Sequence, residues 1–287
     1  MRTFRFKSYA KINLSIDVTC RRSDGYHDLK SIMQSVSLYD IITLKVGEAG
    51  IKITNSLPFL PCDSRNIAYK AAMLFYDEAG ILPEIGIDIQ KNIPVGAGLG
   101  GGSSNAATVL LALNKIYSYP LSFEKLLEIG KACGADVPFC MKGGTCLAEG
   151  IGDLLTPLPN MPDCSILLVK PSFSISTKAI FQALDLKNNT AHPDTAGIIK
   201  AIENNNLSEI CVRLFNTLES VTEKMHPDIS RIKSILLDIG ASGTIMSGSG
   251  PTVLAIFKTK EAAAKAACAF SDMPVSIFTV KPVFKVI

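Results

Sequence analysis

The chain has 287 residues, which favours two packed domains over one, and 47% of them are hydrophobic, enough for a stable core. Its 29 basic and 26 acidic residues leave a net charge of +3, which is too small to indicate binding to DNA or RNA. The charge therefore excludes nucleic acid as an expected partner.

Eight cysteines and three histidines are dispersed along the chain without a CxxC pair. This pattern favours reduced, mostly buried thiols over disulfides, and it predicts no protein metal site. The N-terminal residues 1–7 are charged but are not followed by an apolar run of signal-peptide length, and no apolar stretch is long enough to span a bilayer. We therefore expect a cytoplasmic protein without a membrane partner; monomer and homodimer both remain open.

The first predicted element is a strand. Apolar residues occupy every second position of residues 10–18, which predicts a half-buried strand. Lys11, Asn13 and Ser15 alternate with them and share its other face. Because Lys11 and Asn13 are two positions apart, their side chains should point the same way.

The middle of the chain predicts a helix, a strand and a second helix. Residues 64–79 have helical periodicity, with Ser64 as N-cap and Gly80 as the stop. A strand follows at residues 85–89, and residues 105–117 predict a helix rich in alanine and leucine.

A proline-rich passage at residues 157–162 is the expected linker, so we predict domains at 1–158 and 159–287. The second part opens with a buried-type strand at 166–169. It closes with strands near 244–246, 253–257 and 275–280, the last two separated by a helix at 261–270. Because helices and strands do not alternate regularly, the pattern predicts an α+β fold.

A glycine-rich segment lies between the strand at 85–89 and the helix at 105–117. It comprises Pro94, Val95, Gly96, Ala97, Gly98, Leu99, Gly100, Gly101, Gly102, Ser103 and Ser104. Glycines let successive backbone N–H groups turn inward, and a helix start adds positive partial charge, so the segment predicts a phosphate-binding loop.

Other interpretations of this loop are weaker. Gly96, Gly98 and Gly101 satisfy GxGxxG, but residues 91–94 separate them from the strand, and no acidic residue closes a second strand about 20 residues on, so a dinucleotide fold is not favoured. GxxxxGK[ST] is absent. A purely structural turn would need only one or two glycines.

At this point the chain resembles the galactokinase, homoserine kinase, mevalonate kinase and phosphomevalonate kinase (GHMP) superfamily. The resemblance rests on residues 10–14 (AKINL), 94–107 and 247–253 (SGSGPTV). Residues 21–29, 134–139 and 148–153 resemble one branch of it, which phosphorylates the 2-hydroxyl of diphosphocytidyl-methylerythritol in the non-mevalonate route to isoprenoid precursors. The resemblance covers most of the chain.

The resemblance implies a two-domain GHMP kinase fold. Its N-terminal α/β domain would be like domain 2 of ribosomal protein S5, its C-terminal domain ferredoxin-like, and the active site would lie in the cleft between them. It also implies ATP as co-substrate and Mg²⁺ as cofactor. No Mg²⁺ ligand can be named from the sequence, and the ion could be held chiefly by phosphates and water, with Ser103 or Ser104 available as a hydroxyl ligand.

The resemblance makes Asp136 the group that takes the substrate proton and Lys11 the cation beside it. A lysine near a carboxylate orients it and stabilises the charge that develops during phosphoryl transfer. From local sequence alone, Asp136 could equally be a helix N-cap, since Val137 and Pro138 look like a helix start. Without the resemblance, Lys11 would be expected to be a solvent-exposed strand residue.

The substrate residues follow from the same resemblance. It assigns Tyr26 to stacking on the pyrimidine and His27 to bonding its edge, with Phe173 as the second aromatic wall. Without the resemblance, Tyr26 and His27 would be expected to pack against the rest of the protein. Asn13 could bond a substrate hydroxyl or phosphate, or a neighbouring loop. Gly248 belongs to a second glycine turn that in the family packs against the first loop and the substrate; by itself it could be a hairpin turn.

Two rivals remain. One is another GHMP kinase acting on homoserine, mevalonate or a sugar, whose pocket would not need Tyr26 and His27. The other is a catalytically silent relative that binds a nucleotide or metabolite. Retention of both Lys11 and Asp136 argues against the second.

Overall fold

The computed structural model describes residues 2–186 and 191–286 of the chain. The first part contains strands β1 (Arg2–Arg21), β2 (His27–Val46), β3 (Gly50–Asn55), β4 (Glu84–Gln90), β5 (Thr145–Glu149) and β6 (Leu154–Pro157) and helices α1 (Ile67–Ala79), α2 (Gly101–Ile116), α3 (Phe123–Cys133) and α4 (Val137–Lys142).

The second part contains strands β7 (Ser165–Pro171), β8 (Phe215–Asn216), β9 (Gly243–Met246), β10 (Val253–Phe257) and β11 (Val275–Val280) and helices α5 (Thr177–Ala183), α6 (Thr195–Glu203), α7 (Leu207–Cys211), α8 (Glu219–Met225), α9 (Asp228–Asp238) and α10 (Lys260–Ala267), followed by a 3₁₀ turn (Cys268–Phe270). The mixture confirms the predicted α+β class.

Two sheets organise these elements. The first has the order β3-β4-β2-β1-β8, with β5 pairing β2 and β6 pairing β5. The second has the order β11-β7-β10-β9 and is antiparallel throughout. The chain passes from one sheet to the other between Pro157 and Ser165, across the proline-rich passage, yet β8 returns to the first sheet. The boundary at residue 158 stays a prediction.

Strand β1 differs from the half-buried strand that its alternation predicted. Lys11 and Asn13 are 5% and 4% exposed, as buried as the apolar residues between them. Ile12 and Leu14 pack in one core with Ile166 of β7. The second sheet therefore covers the apolar face of β1, and the polar face lines a cleft.

Two helix starts also differ from prediction. Helix α1 begins at Ile67, and its N-cap is Asn66 rather than Ser64, because the Asn66 side chain accepts a hydrogen bond from Ala68 N–H. Gly80 ends it in the left-handed conformation, as predicted. Helix α2 begins four residues earlier than predicted, at Gly101, so the last residues of the glycine-rich loop form its first turn.

All eight cysteines are free thiols, and five of them are buried, as the sequence analysis expected of most. Within residues 2–186 and 191–286, no helix combines the length and apolar character needed to cross a membrane.

Candidate active site

The glycine-rich loop adopts a conformation that other residues would disfavour. Gly96, Gly98 and Gly100 have φ of 61°, 75° and 66°, a region that L-residues rarely adopt. A Cβ at Gly98 would lie 2.1 Å from the Ser247 carbonyl oxygen, and one at Gly100 would lie 2.8 Å from Lys11 Cγ. The glycines thus let the loop contact both Lys11 and the second glycine turn.

The loop runs directly into helix α2. The first N–H groups of a helix have no intrahelical acceptor, and the helix dipole adds positive partial charge at this end. Gly101, Gly102 and Ser103 provide those groups, and all three line the cavity. The sequence and geometry of this segment fit an anion.

The two loop serines have different environments. Ser104 is 2% exposed, and its Oγ lies 2.7 Å from Ser8 Oγ. Ser103 lines the cavity, whereas Ser104 is not among its described lining residues. Of the two serines that the sequence left as alternatives, Ser103 is therefore the one at the cavity.

Lys11 and Asp136 form the charged centre of the cavity. Lys11 Nζ lies 3.4 Å from Asp136 Oδ2; the Lys11 side chain is 6% exposed and that of Asp136 is 34% exposed. Asp136 occupies the N-cap position of α4, but within the described residues its side chain makes no capping hydrogen bond. The carboxylate is therefore directed to Lys11 and the open cavity instead of the helix.

Asn13 also lines the cavity, but its polar atoms have partners within the protein. Lys11 Nζ donates to Asn13 Oδ1 at 2.9 Å, and Asn13 Nδ2 donates to Ser31 Oγ at 2.8 Å. Ser31 Oγ in turn donates to the Ser15 carbonyl at 2.6 Å. These bonds fix the Lys11 ammonium against strands β1 and β2. A bond from Asn13 to substrate stays a prediction.

Tyr26 and His27 lie where the chain passes from β1 to β2. The Tyr26 N–H donates to Asp24 Oδ1 at 3.0 Å, which fixes the turn, and Tyr26 as a whole is 59% exposed. Both residues line the cavity. An exposed tyrosine beside a cavity has little protein to pack against, so its face is free for a planar ligand.

The aromatic ring next to His27 is Phe181, which the sequence analysis did not single out. His27 and Phe181 have ring centroids 5.1 Å apart, and Phe181 lines the cavity. The Phe173 ring instead stacks on His226 at 4.8 Å and is not among the described lining residues. Phe173 follows β7, whereas Phe181 lies on α5. A role for Phe173 as the second aromatic wall stays a prediction.

A sequence signal for Phe181 exists on α5. Thr177, Lys178, Phe181 and Gln182 all line the cavity. Positions 177 and 181, like 178 and 182, are four apart and share one face of a helix. A polar helix face interrupted by one aromatic ring could have marked this contact.

Burial lowers the pKa of His27, and the nearby charge of Arg21 lowers it further. The imidazole is therefore neutral at neutral pH, with one donor and one acceptor nitrogen. Arg21 and Lys178 also line the cavity, so two cations flank the aromatic residues.

The second glycine turn contacts the first loop. Ser247 Oγ donates to the Gly98 carbonyl at 3.0 Å. A Cβ at Gly248 would lie 3.4 Å from Gly98 Cα and 3.5 Å from Lys11 Nζ. Gly248 lines the cavity as well. The predicted packing between the two glycine segments is thus present. The turn is also a hairpin connection, because it joins the antiparallel strands β9 and β10.

Sequence reasoning missed a buried ion pair under the glycine-rich loop. Lys91 Nζ binds Asp40 Oδ2 and donates to Asn105 Oδ1 at 3.1 Å. Asp40 Oδ1 also accepts from the N–H groups of Asn92 and Ile93 at 2.7 and 2.8 Å. Asp40 and Lys91 are 51 residues apart, so local patterns gave no sign of this support for the loop.

These groups share one cavity of about 1100 Å³. Its aromatic part holds Tyr26, His27 and Phe181, and its polar part holds Lys11, Asp136 and the glycine-rich loop. A further apolar part, also missed from the sequence, is lined by Leu60, Pro61, Ile67 and Ile89. One cavity can therefore hold two extended ligands next to the Lys11–Asp136 pair.

The chain matches two protein-family models. The model of the GHMP kinases N terminal domain matches residues 66–144, and that of the GHMP kinases C terminal matches residues 198–275. Curated relatives bear the name 4-diphosphocytidyl-2-C-methyl-D-erythritol kinase. One from Caldicellulosiruptor saccharolyticus is 48% identical over 262 residues, covering 91% of this chain and 90% of the relative. One from Lachnoclostridium phytofermentans is 48% identical over 261 residues, with the same coverage of 91% and 90%.

Solved structures agree with these matches. A crystal structure of 4-(cytidine 5'-diphospho)-2C-methyl-D-erythritol kinase superposes with a TM-score of 0.84 at 29% identity, covering 98% of this chain and 100% of that one. A homoserine kinase from Cytophaga hutchinsonii has a TM-score of 0.79 at 20% identity, covering 100% of this chain and 96% of that one, and shares the fold.

Proposed function

Because the chain belongs to the GHMP kinase family, among the 4-diphosphocytidyl-2-C-methyl-D-erythritol kinases, we propose that its cavity transfers the γ-phosphoryl group of ATP to the 2-hydroxyl of 4-diphosphocytidyl-2-C-methyl-D-erythritol. The protein is an ATP-dependent kinase of the non-mevalonate route to isoprenoid precursors. The observation that carries the residue assignments is the 3.4 Å pair of Lys11 and Asp136, beside the glycine-rich loop and in one cavity with the aromatic residues.

The glycine-rich loop and the start of α2 bind the ATP phosphates. Gly101, Gly102 and Ser103 direct free N–H groups at the β- and γ-phosphates, and the helix dipole favours their negative charge. The apolar residues Leu60, Pro61, Ile67 and Ile89 fit the adenine ring, whose faces are apolar. This orientation directs the γ-phosphate toward Lys11 and Asp136.

Asp136 accepts the proton of the substrate 2-hydroxyl. The alkoxide oxygen then forms a bond to the γ-phosphorus while the bond from that phosphorus to the bridging oxygen breaks, and ADP leaves with the electron pair. Lys11, oriented by Asn13, lies close enough to Asp136 to stabilise charge on the attacking oxygen and on the transferring phosphoryl group. The alcohol therefore gains a phosphate, and Asp136 holds a proton that later passes to solvent.

The described residues hold no cluster of three His, Cys, Asp or Glu that would bind a metal. Mg²⁺ prefers oxygen ligands and keeps several waters, and it is often bound through substrate phosphates with one or two protein groups. The Ser103 hydroxyl fits that role for an ion that enters with ATP. Bound there, Mg²⁺ would neutralise charge on the β- and γ-phosphates.

The aromatic part of the cavity recognises the cytidine. Tyr26 offers an exposed face for stacking, Phe181 closes the other side, and neutral His27 has both a donor and an acceptor for the edge of the base. Arg21 and Lys178, which line the same part, are placed to face the diphosphate of the substrate.

Another GHMP kinase remains the second candidate, since homoserine and mevalonate kinases share this fold. Neither homoserine nor mevalonate carries an aromatic ring, so the Tyr26, His27 and Phe181 cluster favours the cytidine compound. A silent binding protein would not need the Lys11–Asp136 pair. A cytoplasmic location stays a prediction.

The test is ADP release by the purified protein with Mg-ATP and one alcohol at a time. The alcohols are the diphosphocytidyl compound, homoserine, mevalonate and galactose. Turnover with the diphosphocytidyl compound alone is the expected result. Turnover with another alcohol would reassign the substrate, and ADP release with none of the four would contradict the proposal.

A further inference from the structure

Asn216 is a buried residue that binds backbone atoms at the start of the second glycine turn. Asn216 is only 3% exposed, and its Nδ2 donates to the carbonyls of Met246 and Gly248, both at 2.8 Å. Its Oδ1 accepts from the Leu218 N–H at 3.0 Å. One amide thus satisfies three backbone groups, and both hydrogens of Nδ2 are used on the turn.

The backbone around Asn216 is fixed to strand β1, the strand that carries Lys11. Strand β8 pairs in parallel with β1, and Asn216 lies opposite Ile16. Both the N–H and the Oγ1 of Thr217 donate to the Ile16 carbonyl, at 3.0 and 3.1 Å. Asn216 therefore links β1 of the first sheet to a turn that belongs to the second.

That turn contacts the groups that carry out phosphoryl transfer. Ser247 donates to the carbonyl of Gly98, and Gly248 is so close to Lys11 that a Cβ there would lie 3.5 Å from Nζ. Glu219 also holds the start of the turn, because its Oε1 accepts from the Met246 N–H at 2.5 Å. A shift of the turn would therefore move the phosphate loop relative to Lys11.

We propose that Asn216 is a positioning residue, which sets the spacing between Lys11, the phosphate-binding loop and the second glycine turn without touching either substrate. Its effect on turnover rests on the proposed function. Its effect on ATP affinity depends only on the phosphate-binding role of the glycine-rich loop.

The test exchanges the amide for a carboxylate of the same shape. In Asn216→Asp the two hydrogens that bind Met246 and Gly248 are lost, and oxygen faces two carbonyl oxygens. We expect the dissociation constant of Mg-ATP, measured by calorimetry, to rise about 10-fold. We expect kcat with the diphosphocytidyl compound to fall about 100-fold, the cost of a misplacement of roughly 1 Å.

Asn114→Asp is the matched control. Asn114 is 5% exposed, its Nδ2 donates to the Leu121 carbonyl at 3.0 Å, and its Oδ1 accepts from the Leu121 N–H at 3.1 Å. It lies near the end of α2 and does not line the cavity. The same exchange should lower the Tm to a similar extent but leave the affinity for Mg-ATP and kcat within 2-fold of wild type.

Asn216→Ala, which removes the bonds without adding charge, is measured in parallel. It should also raise the dissociation constant of Mg-ATP and lower kcat.

The proposal is overturned if both Asn216 variants keep Mg-ATP affinity and kcat within 2-fold of wild type, or if Asn114→Asp loses as much affinity and kcat as they do. It is also overturned if neither Asn216 variant folds while Asn114→Asp does, because Asn216 would then serve folding alone. Weaker ATP binding in Asn216→Asp, with no wild-type turnover of the diphosphocytidyl compound, would support the positioning role and reject the proposed substrate.

Discussion

Replacing Asp136 with asparagine removes the proposed proton acceptor while keeping its shape. A positioned general base contributes roughly 10²- to 10⁴-fold to a rate, so kcat should fall about 1,000-fold. The Asp136 side chain is about a third exposed (34%) and makes no capping bond within the described residues, so the Tm should change little. Lys11 keeps its bond to Asn13, so the affinity for Mg-ATP should stay within about 3-fold.

The assay follows ADP release at saturating ATP and diphosphocytidyl-methylerythritol, and calorimetry gives the dissociation constant of Mg-ATP. Asp228→Asn is a suitable control, since Asp228 is exposed in the first turn of α9 and should leave kcat unchanged. An Asp136→Asn enzyme that turns over within 10-fold of wild type would refute the general-base role. Equal losses of kcat and ATP affinity would show that Asp136 acts mainly in binding.

Three further predictions concern the rest of the cavity. Gly98→Ala places a Cβ 2.1 Å from the Ser247 carbonyl oxygen at a φ of 75°, so it should weaken Mg-ATP binding more than 10-fold and lower the Tm. The control is Gly240→Ala, which has a φ of 94° with open space around it and should lower only the Tm. Equal ATP affinity in both variants would contradict the contact between the loop and Ser247. Phe181→Ala should raise KM for the cytidine substrate about 5- to 150-fold, because stacking on a base contributes roughly 1–3 kcal/mol, whereas Phe173→Ala should change KM less. A larger rise in Phe173→Ala than in Phe181→Ala would make Phe173 the second aromatic wall of the pocket. The pKa of His27 is lowered from 6.5 by burial and by Arg21, so the ring is neutral above pH 6.5 and KM for the cytidine substrate should be constant there. KM should rise at lower pH as the ring protonates, and the same rise in His27→Gln would exclude a role for this imidazole.

The sequence predicted the parts of the site that lie on contiguous motifs. Residues 94–104 form the loop between β4 and α2, and Lys11 and Asp136 meet although 125 positions separate them. The pairing of Lys11 with Asp136 was expected from the family resemblance, and the local pattern around each residue did not predict it. Alternation in β1 correctly placed Lys11 and Asn13 on one face, but it could not show that both faces are covered.

What the sequence could not provide are contacts made by distant segments. Asp40 and Lys91 are joined by the pairing of β2 with β4, and Ser8 meets Ser104 across 96 residues. The contact between Phe181 and His27 depends on how α5 packs over the cleft, which no local propensity encodes. The sequence also could not decide that Asn66 and not Ser64 is the N-cap of α1, because both residue types are good caps and only the backbone conformation distinguishes them.

The central claim is that this cavity places one γ-phosphoryl group of ATP on the 2-hydroxyl of the diphosphocytidyl compound. The most direct measurement is ³¹P and ¹³C NMR of the product from a complete reaction with Mg-ATP. The account predicts one new phosphomonoester per ADP, coupled to the quaternary carbon that bears the 2-hydroxyl. A phosphate on another hydroxyl, or ADP with free inorganic phosphate and unchanged alcohol, would contradict it.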